Sequence, residues 1–150
     1  MANYYTSFST HIKYRNREEQ LWLLAQLDAQ DTSADDDGPY CNYEDDPKEQ
    51  AVWVYTEESG NVDGVADLVA RFQTRFTIPT PWILEWANTC SRPRLDSFSG
   101  GAIAVYKGTI HTIWPHGLAE RWIKQQERKA QKTRTRALNV TPPSKVPTHA

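Results

Sequence analysis

The sequence predicts an α+β domain built on a single, mostly antiparallel sheet of about five strands. Three observations support this fold class. Short β-branched and aromatic stretches alternate with two amphipathic helical stretches, the connections between them are short, and two late strand patterns are joined by only Lys107-Gly108, which is typical of a tight hairpin. We expect two helices to cover one face of the sheet, followed by a C-terminal helix with a basic extension.

The first half of the chain alternates strand and helix patterns. Residues 4–14 alternate apolar and polar side chains, which predicts a half-buried strand. Asn16 and Glu19 have the spacing of a helix capping box, and the apolar residues that follow predict a helix ending near Ala29. Residues 51–56 are β-branched and aromatic throughout, which predicts a strand buried on both faces.

The second half contains the clearest helix signal. Apolar residues recur at helical spacing from Val62 to Phe76, and Pro79 and Pro81 end the pattern. Pro115 is suited to the first turn of a last helix. Strand patterns occupy the interval between the two helices, at residues 82–87, 101–106 and 109–114. The paired glycines Gly100-Gly101 predict a bulge or close backbone packing.

The charges are unevenly distributed along the chain. Residues 1–119 carry 9 Lys/Arg and 17 Asp/Glu, a balance of −8, whereas residues 120–150 carry 8 and 2, a balance of +6. We predict one domain over residues 1–123 with an acidic insertion at 28–49, and a basic helix extension with a disordered tail over 124–150. An acidic body with a basic tail is typical of a protein that meets charged partners.

The acidic insertion partly matches a calcium-binding loop. Matching residues occupy its positions 1, 3, 5, 6 and 12: Ser33, Asp35, Asp37, Gly38 and Glu44. The serine at the first position and Pro39 after the glycine depart from the pattern, so a solvated acidic surface is the favoured interpretation and no metal or cofactor is expected. We predict a short strand at residues 40–44 within this insertion.

The same carboxylates are candidates for contacting a partner protein. Closely spaced acids can occupy the Lys/Arg-lined groove of a nucleic-acid-binding protein in place of phosphates. After the predicted strand at 82–87, Pro93 stiffens a segment that displays two guanidinium groups suited to a carboxylate or phosphate; pairing with Asp96 or Glu85 is the alternative. The candidate partner-binding residues are Asp35, Asp36, Asp37, Glu44, Asp45, Asp46, Arg92 and Arg94.

No complete catalytic motif is present. A phosphatase loop requires an arginine six positions after its cysteine, but Asp96 stands six positions after Cys90. No glycine-rich phosphate loop or nucleophile elbow occurs either, and the four dispersed histidines make no standard zinc spacing with the cysteines. We therefore predict a protein that is not an enzyme, with an enzyme built around Cys90 as the weaker alternative.

The chain shows no sign of secretion or membrane insertion. Its start is not a signal peptide, its two cysteines make no disulfide framework, and no apolar run approaches the ~20 residues that a membrane span needs. A cytoplasmic protein is expected.

A basic run near the C-terminus gives an alternative function. It contains seven cations without interleaved aromatic residues, so it is suited to sequence-independent phosphate contacts. A solubilising helix end and docking on the acidic segment of a second copy are equally compatible with it. The candidate nucleic-acid-binding residues are Arg121, Lys124, Arg128, Lys129, Lys132, Arg134 and Arg136.

A pattern within residues 53–105 resembles a family of small uncharacterised proteins from phages, other mobile elements and their bacterial hosts. The matching residues are Glu58, Asn61, Val65, Ala66, Trp82, Trp86-Ala87, Thr89-Cys90-Ser91, Pro93-Arg94, Phe98 and Gly100-Gly101-Ala102. Ser99 departs from the pattern, which has a further glycine there. The resemblance implies a mobile-element accessory role and no catalytic residue.

These observations lead to a hypothesis of a non-enzymatic binding protein. We expect a phage or mobile-element inhibitor of a host defence system, of the anti-CRISPR or anti-restriction type, that covers a basic surface of a host protein with its acidic segment. In that case it would act in the host cytoplasm. A nucleic-acid-binding module that uses the basic arm is the alternative, and a dimer is compatible with either.

Overall fold

The computed structural model describes residues 2–31, 38–95, 97–115 and 117–140. The strands are β1 (Tyr4–Lys13), β2 (Asn42–Asp46), β3 (Ala51–Thr56), β4 (Trp82–Cys90), β5 (Ser99–Tyr106) and β6 (Thr109–Ile113). The α-helices are α1 (Arg17–Asp28), α2 (Val62–Phe76) and α3 (Leu118–Asn139), and a 3₁₀ turn, Ala29–Asp31, follows α1.

The six strands form one sheet in the order β2-β3-β1-β4-β5-β6. Every neighbouring pair is antiparallel. The long strand β1 lies near the middle, with Phe8 opposite Thr56 of β3 on one side and Trp86 of β4 on the other. The predicted α+β class with a single antiparallel sheet is confirmed, and the sheet has six strands where about five were expected.

Helices α1 and α2 cover one face of this sheet, as predicted. The core brings together Leu23 and Leu27 of α1, the apolar side of α2, and alternate residues of the strands, including Val54 and Leu84. The prediction that residues 51–56 are buried on both faces is wrong. Val52 and Val54 belong to this core, whereas Trp53 and Tyr55 alternate with them on the opposite face and are only partly buried.

The predicted capping box begins α1. The Asn16 side chain accepts a hydrogen bond from the Glu19 N–H at 3.0 Å. The Glu19 carboxylate reaches back to the Arg15 N–H at 2.6 Å and is completely buried. Two backbone donors at the start of the helix are satisfied in this way.

Helix α2 anchors the β5–β6 hairpin through one buried side chain. Gln73 is 3% exposed, and its Oε1 accepts from the Gly108 N–H at 3.0 Å while its Nε2 donates to the Val105 carbonyl at 3.0 Å. Lys107 (φ 51°) and Gly108 (φ 77°) both have positive φ, the conformation of a type I′ turn. The hairpin predicted from Lys107-Gly108 is therefore present and is fastened to the core.

Strand β5 passes close beneath an aromatic ring of β4. A Cβ on Gly101 would lie 2.5 Å from Cη2 of Trp86, and a Cβ on Gly100 would lie 2.5 Å from the Trp86 carbonyl oxygen. Trp86 in turn packs edge-on against Trp114 with ring centroids 5.2 Å apart. The glycine pair provides the close packing predicted for it.

The chain divides into two units, Met1–Pro115 and His116–Ala150. The second unit contains α3, which has no buried residue and runs through the boundary expected at residue 123. No helix of the described residues is long and apolar enough to cross a membrane.

Candidate protein-interaction surface

The candidate surface lies where β2 and β3 meet, on the face of the sheet opposite α1 and α2, which we call the open face. Trp53 and Tyr55 project from this face because Val52 and Val54, which alternate with them, point into the core. Glu44 lies directly opposite Trp53, so it shares this face, and Asp46, two residues further along β2, does too. We call Glu44, Asp46, Trp53 and Tyr55 the acidic-aromatic strip.

The two aromatic rings of the strip are stacked and held in place. Their centroids are 3.9 Å apart with an interplanar angle of 21°. Trp53 Nε1 donates a hydrogen bond to Ser9 Oγ at 2.8 Å, and the Tyr55 hydroxyl donates to Glu44 Oε1 at 3.4 Å. Each ring is thus fixed by a neighbouring strand, so the strip is preorganised.

The charge of the strip comes from its carboxylates. Partial burial raises the pKa of the Tyr55 phenol, and the nearby carboxylates of Glu44 and Glu57 raise it further. The phenol therefore remains neutral and keeps its proton for the bond to Glu44. Asp46 Oδ2 lies 3.9 Å from His11 Nε2, and His11 itself stands opposite Trp53 on β1.

Asp45 points to the opposite face and has a structural role. Its carboxylate accepts hydrogen bonds from the Tyr14 hydroxyl at 2.9 Å and from Gln20 Nε2 at 2.7 Å. Burial and the bond to Asp45 raise the pKa of the Tyr14 phenol. Asp45 thereby fastens β2 to β1 and α1. The other predicted acids, at positions 35–37, lie outside the described residues.

A polar recess of about 530 Å³ adjoins the strip. Tyr55 lines it together with Asn42 and the exposed carboxylates of Glu57 and Glu58, which follow β3. The aromatic face therefore leads into a cavity whose charged side chains are acidic, which suits a long cationic side chain better than an anion.

Arg92 and Arg94 are exposed in the connection between β4 and β5. Neither takes part in an ion pair or side-chain hydrogen bond within the described residues. The Ser91 N–H donates to the Asn3 carbonyl at 2.9 Å, which places this connection beside the start of β1. Strand β4 is two strands from β3, about 10 Å across the sheet, so the arginines lie outside the acidic-aromatic strip.

The cysteines and acids form no recognisable reactive centre among the described residues. Both cysteines are free thiols, and burial raises the pKa of Cys41 to about 12, which keeps that thiol protonated at neutral pH. Cys90 is the partly exposed last residue of β4, opposite Tyr4. No group of three or more His, Cys, Asp or Glu able to hold a metal occurs in the described part of the chain.

The candidate nucleic-acid-binding residues all lie on α3. Arg121, Lys124, Arg128, Lys129, Lys132, Arg134 and Arg136 are exposed. None forms an ion pair with any residue that the structure describes. They therefore give α3 a marked excess of positive charge, although Glu120 and Glu127 lie on the same helix.

No protein-family model, curated protein or solved structure matches the chain. The resemblance to phage and mobile-element proteins therefore stays a prediction.

Sequence reasoning missed the aromatic half of the strip. The run that contains Trp53 and Tyr55 predicts a two-sided core strand, because a continuous apolar run has no polar residue to mark its outer face. The available signal was the hairpin between β2 and β3. Its register places Glu44 beside Trp53, and an acid on that face indicates exposure.

Proposed function

We propose that this protein is a non-enzymatic binding protein whose acidic-aromatic strip captures a Lys/Arg-rich surface of a partner protein. The observation that supports the proposal is the fixed Trp53–Tyr55 stack with carboxylates beside it. An aromatic face attracts a cation by about 0.5–1 kcal/mol at an exposed site. Adjacent carboxylates add Coulomb attraction and hydrogen-bond acceptors for the same cation.

The acidity of the surface favours a basic partner over a nucleic acid. Exposed aromatic rings on a sheet can also stack with bases, but phosphates would be repelled by Glu44, Asp46 and the acids of the adjoining recess. Basic protein surfaces are common where a protein binds nucleic acid. We therefore propose that the partner is a nucleic-acid-binding protein, and that the strip occupies the surface its phosphates would use. Inhibition of a host defence protein is the form of this function that the phage resemblance favours.

The test measures binding of a fluorescent oligo-arginine peptide to the full chain at low salt. We expect the double variant Glu44→Gln/Asp46→Asn to bind about tenfold more weakly, since each exposed charge contact contributes up to ~1 kcal/mol. Trp53→Ala should weaken binding several-fold, whereas Trp53→Phe, which retains an aromatic face, should retain most of it.

The matched control is Glu18→Gln/Asp63→Asn, which changes the net charge equally at exposed helix residues outside the strip. It should bind like the unmodified protein. If both double variants lost the same affinity for the peptide, the effect would be one of net charge alone, and this would contradict the proposal.

As a second candidate function, we propose nucleic-acid binding through α3. It is supported by the seven exposed cations on one helix that has no buried residue. Because each neutralised phosphate releases counterions, the logarithm of the binding constant for duplex DNA should fall steeply with the logarithm of salt concentration.

Replacing Lys129, Lys132 and Arg136 by glutamine in the full chain tests this candidate. The salt slope should decrease by about 0.9 for each phosphate that the helix no longer neutralises. The strip variant Glu44→Gln/Asp46→Asn should leave the slope unchanged. An absence of DNA binding at low salt would dismiss this second function while leaving the first intact.

A further inference from the structure

Strand β6 is the outer strand of the sheet at the end opposite β2. It consists of Thr109-Ile110-His111-Thr112-Ile113 and contains no Lys, Arg, Asp or Glu. Natural proteins commonly protect an outer strand with charges, prolines or bulges, since its unpaired backbone groups are a template for another strand. Strand β2 has that protection in three consecutive carboxylates, and β6 does not.

The hairpin geometry determines which backbone groups of β6 face outward. A two-residue turn pairs Tyr106 with Thr109 by hydrogen bonds, and bonded and non-bonded pairs alternate from there. His111 and Ile113 are therefore bonded to β5 as well. The N–H and C=O groups of Ile110 and Thr112 point away from the sheet.

These outward groups are self-complementary. When a second β6 lies antiparallel with the two His111 residues opposite each other, Ile110 faces Thr112 of the second copy and Thr112 faces its Ile110. Each of these pairs exchanges two hydrogen bonds, so all four outward groups of each strand are satisfied in one register. A register shifted by one residue would oppose outward groups with groups already bonded to β5.

The side chains beside this edge are apolar and incompletely covered. Ile110 is 42% exposed and Ile113 45%, and they project from opposite faces of the strand. Trp114, immediately after β6, is 54% exposed. Pairing with a second strand would cover apolar surface on both faces at once.

We propose that β6 pairs with β6 of a second copy, joining two sheets into one continuous antiparallel sheet. The neutral strand opposes no like charges in this pairing, whereas two β2 strands would bring carboxylates face to face. A β6–β2 pairing is disfavoured too, because β6 offers no cation to the acids of β2. The assembly therefore closes as a twofold dimer and does not extend into a filament.

Sedimentation velocity of the full chain over a wide concentration range tests the proposal. The unmodified protein should show a reversible monomer–dimer equilibrium. Thr112→Pro removes an outward N–H while leaving the ladder to β5 intact, and it should weaken the dimer at least ~tenfold. His111→Lys opposes two ammonium groups and should also favour the monomer.

The matched control is Asn42→Lys, which adds the same charge to the open face of the other outer strand and should dimerise like the unmodified protein. Hydrogen exchange provides a second readout, since the amides of Ile110 and Thr112 should become protected only as the dimer forms. A monomer at every concentration, or a dimer that survives both Thr112→Pro and His111→Lys, would overturn the proposal. Loss of the dimer in Asn42→Lys would overturn it as well.

Discussion

The two outer strands of the sheet differ in what they present and in how they are fastened. Strand β2 carries three consecutive carboxylates, and one of them, Asp45, is held by Gln20 of α1 in an exposed hydrogen bond of 2.7 Å. Strand β6 is uncharged, and its hairpin is held by Gln73 of α2, which is 3% exposed. A helix glutamine thus holds each end of the sheet, but Gln20 does so in contact with solvent and Gln73 does so in the buried core.

The difference shows how one sheet can offer two kinds of contact. The charges on β2 discourage strand pairing, so the contact proposed for this strand uses the side chains of its open face. Strand β6 has no such charges, so its backbone is available. The buried glutamine keeps the hairpin in register, which an interaction through the backbone requires. At β2 water competes for the hydrogen bond between Gln20 and Asp45, so this bond contributes less to the free energy of unfolding.

The largest expected effect comes from removing the buried anchor. Gln73→Leu leaves the buried Val105 carbonyl and the half-buried Gly108 N–H without their side-chain partner. We expect the free energy of unfolding to fall by about 2–3 kcal/mol, measured by urea denaturation. Amides of the β5–β6 hairpin should also exchange faster.

Gln20→Leu is the matched control at the other edge, because the same substitution there removes a hydrogen bond that is open to water. It should lower the free energy of unfolding by no more than about 0.5 kcal/mol. Equal losses of stability in the two variants would contradict the difference drawn between the two anchors.

A smaller effect is expected from Tyr14→Phe, which removes the 2.9 Å bond from the Tyr14 hydroxyl to Asp45. The free energy of unfolding should fall by about 1 kcal/mol at neutral pH. The folded-state pKa of Tyr14 is raised by burial and by Asp45. Its stabilising contribution is therefore fully present below the ordinary tyrosine pKa of about 10 and is lost as pH rises through the folded-state value.

The gap in stability between the unmodified protein and Tyr14→Phe should consequently narrow above pH ~10. Urea denaturation at neutral pH and again above pH ~10 measures it. A gap that stays constant or widens in the alkaline range would show that the Tyr14 phenol is not protected in the folded state.

Much of the fold could be predicted from the sequence because its signals are local. The spacing of Asn16 and Glu19 marks the start of α1, the helical period from residue 62 to 76 marks α2, and Lys107-Gly108 marks the last hairpin. The fully buried Glu19 carboxylate also depends on a contact that is local in sequence, since it accepts a hydrogen bond from the Arg15 N–H four residues away.

The candidate surface was less accessible to sequence reasoning because it depends on contacts distant in the chain. Ser9 fixes Trp53 across 44 residues, and the helix residue Gln20 binds the Asp45 carboxylate across 25 residues. The acids of β2 look like one group in the sequence, although strand alternation alone separates Asp45 from Glu44 and Asp46. The exposure of Trp53 depends on which face α1 and α2 cover, which the run of apolar residues does not specify.

The smallest effect, and the most direct test of the comparison, comes from neutralising β2. In a Thr112→Pro background, where pairing through β6 is disabled, the triple variant Glu44→Gln/Asp45→Asn/Asp46→Asn removes the charges that keep two β2 strands apart. We expect weak self-association to appear at the highest protein concentrations, measured by sedimentation equilibrium, and to be absent in Thr112→Pro alone. The amide that replaces the Asp45 carboxylate keeps one acceptor oxygen for the Tyr14 hydroxyl, and its NH2 group can donate to the side-chain oxygen of Gln20 once the Gln20 amide turns over, so the strand itself should stay in place. A triple variant that remains monomeric would show that charge is not what protects β2, and that its short length or twist suffices.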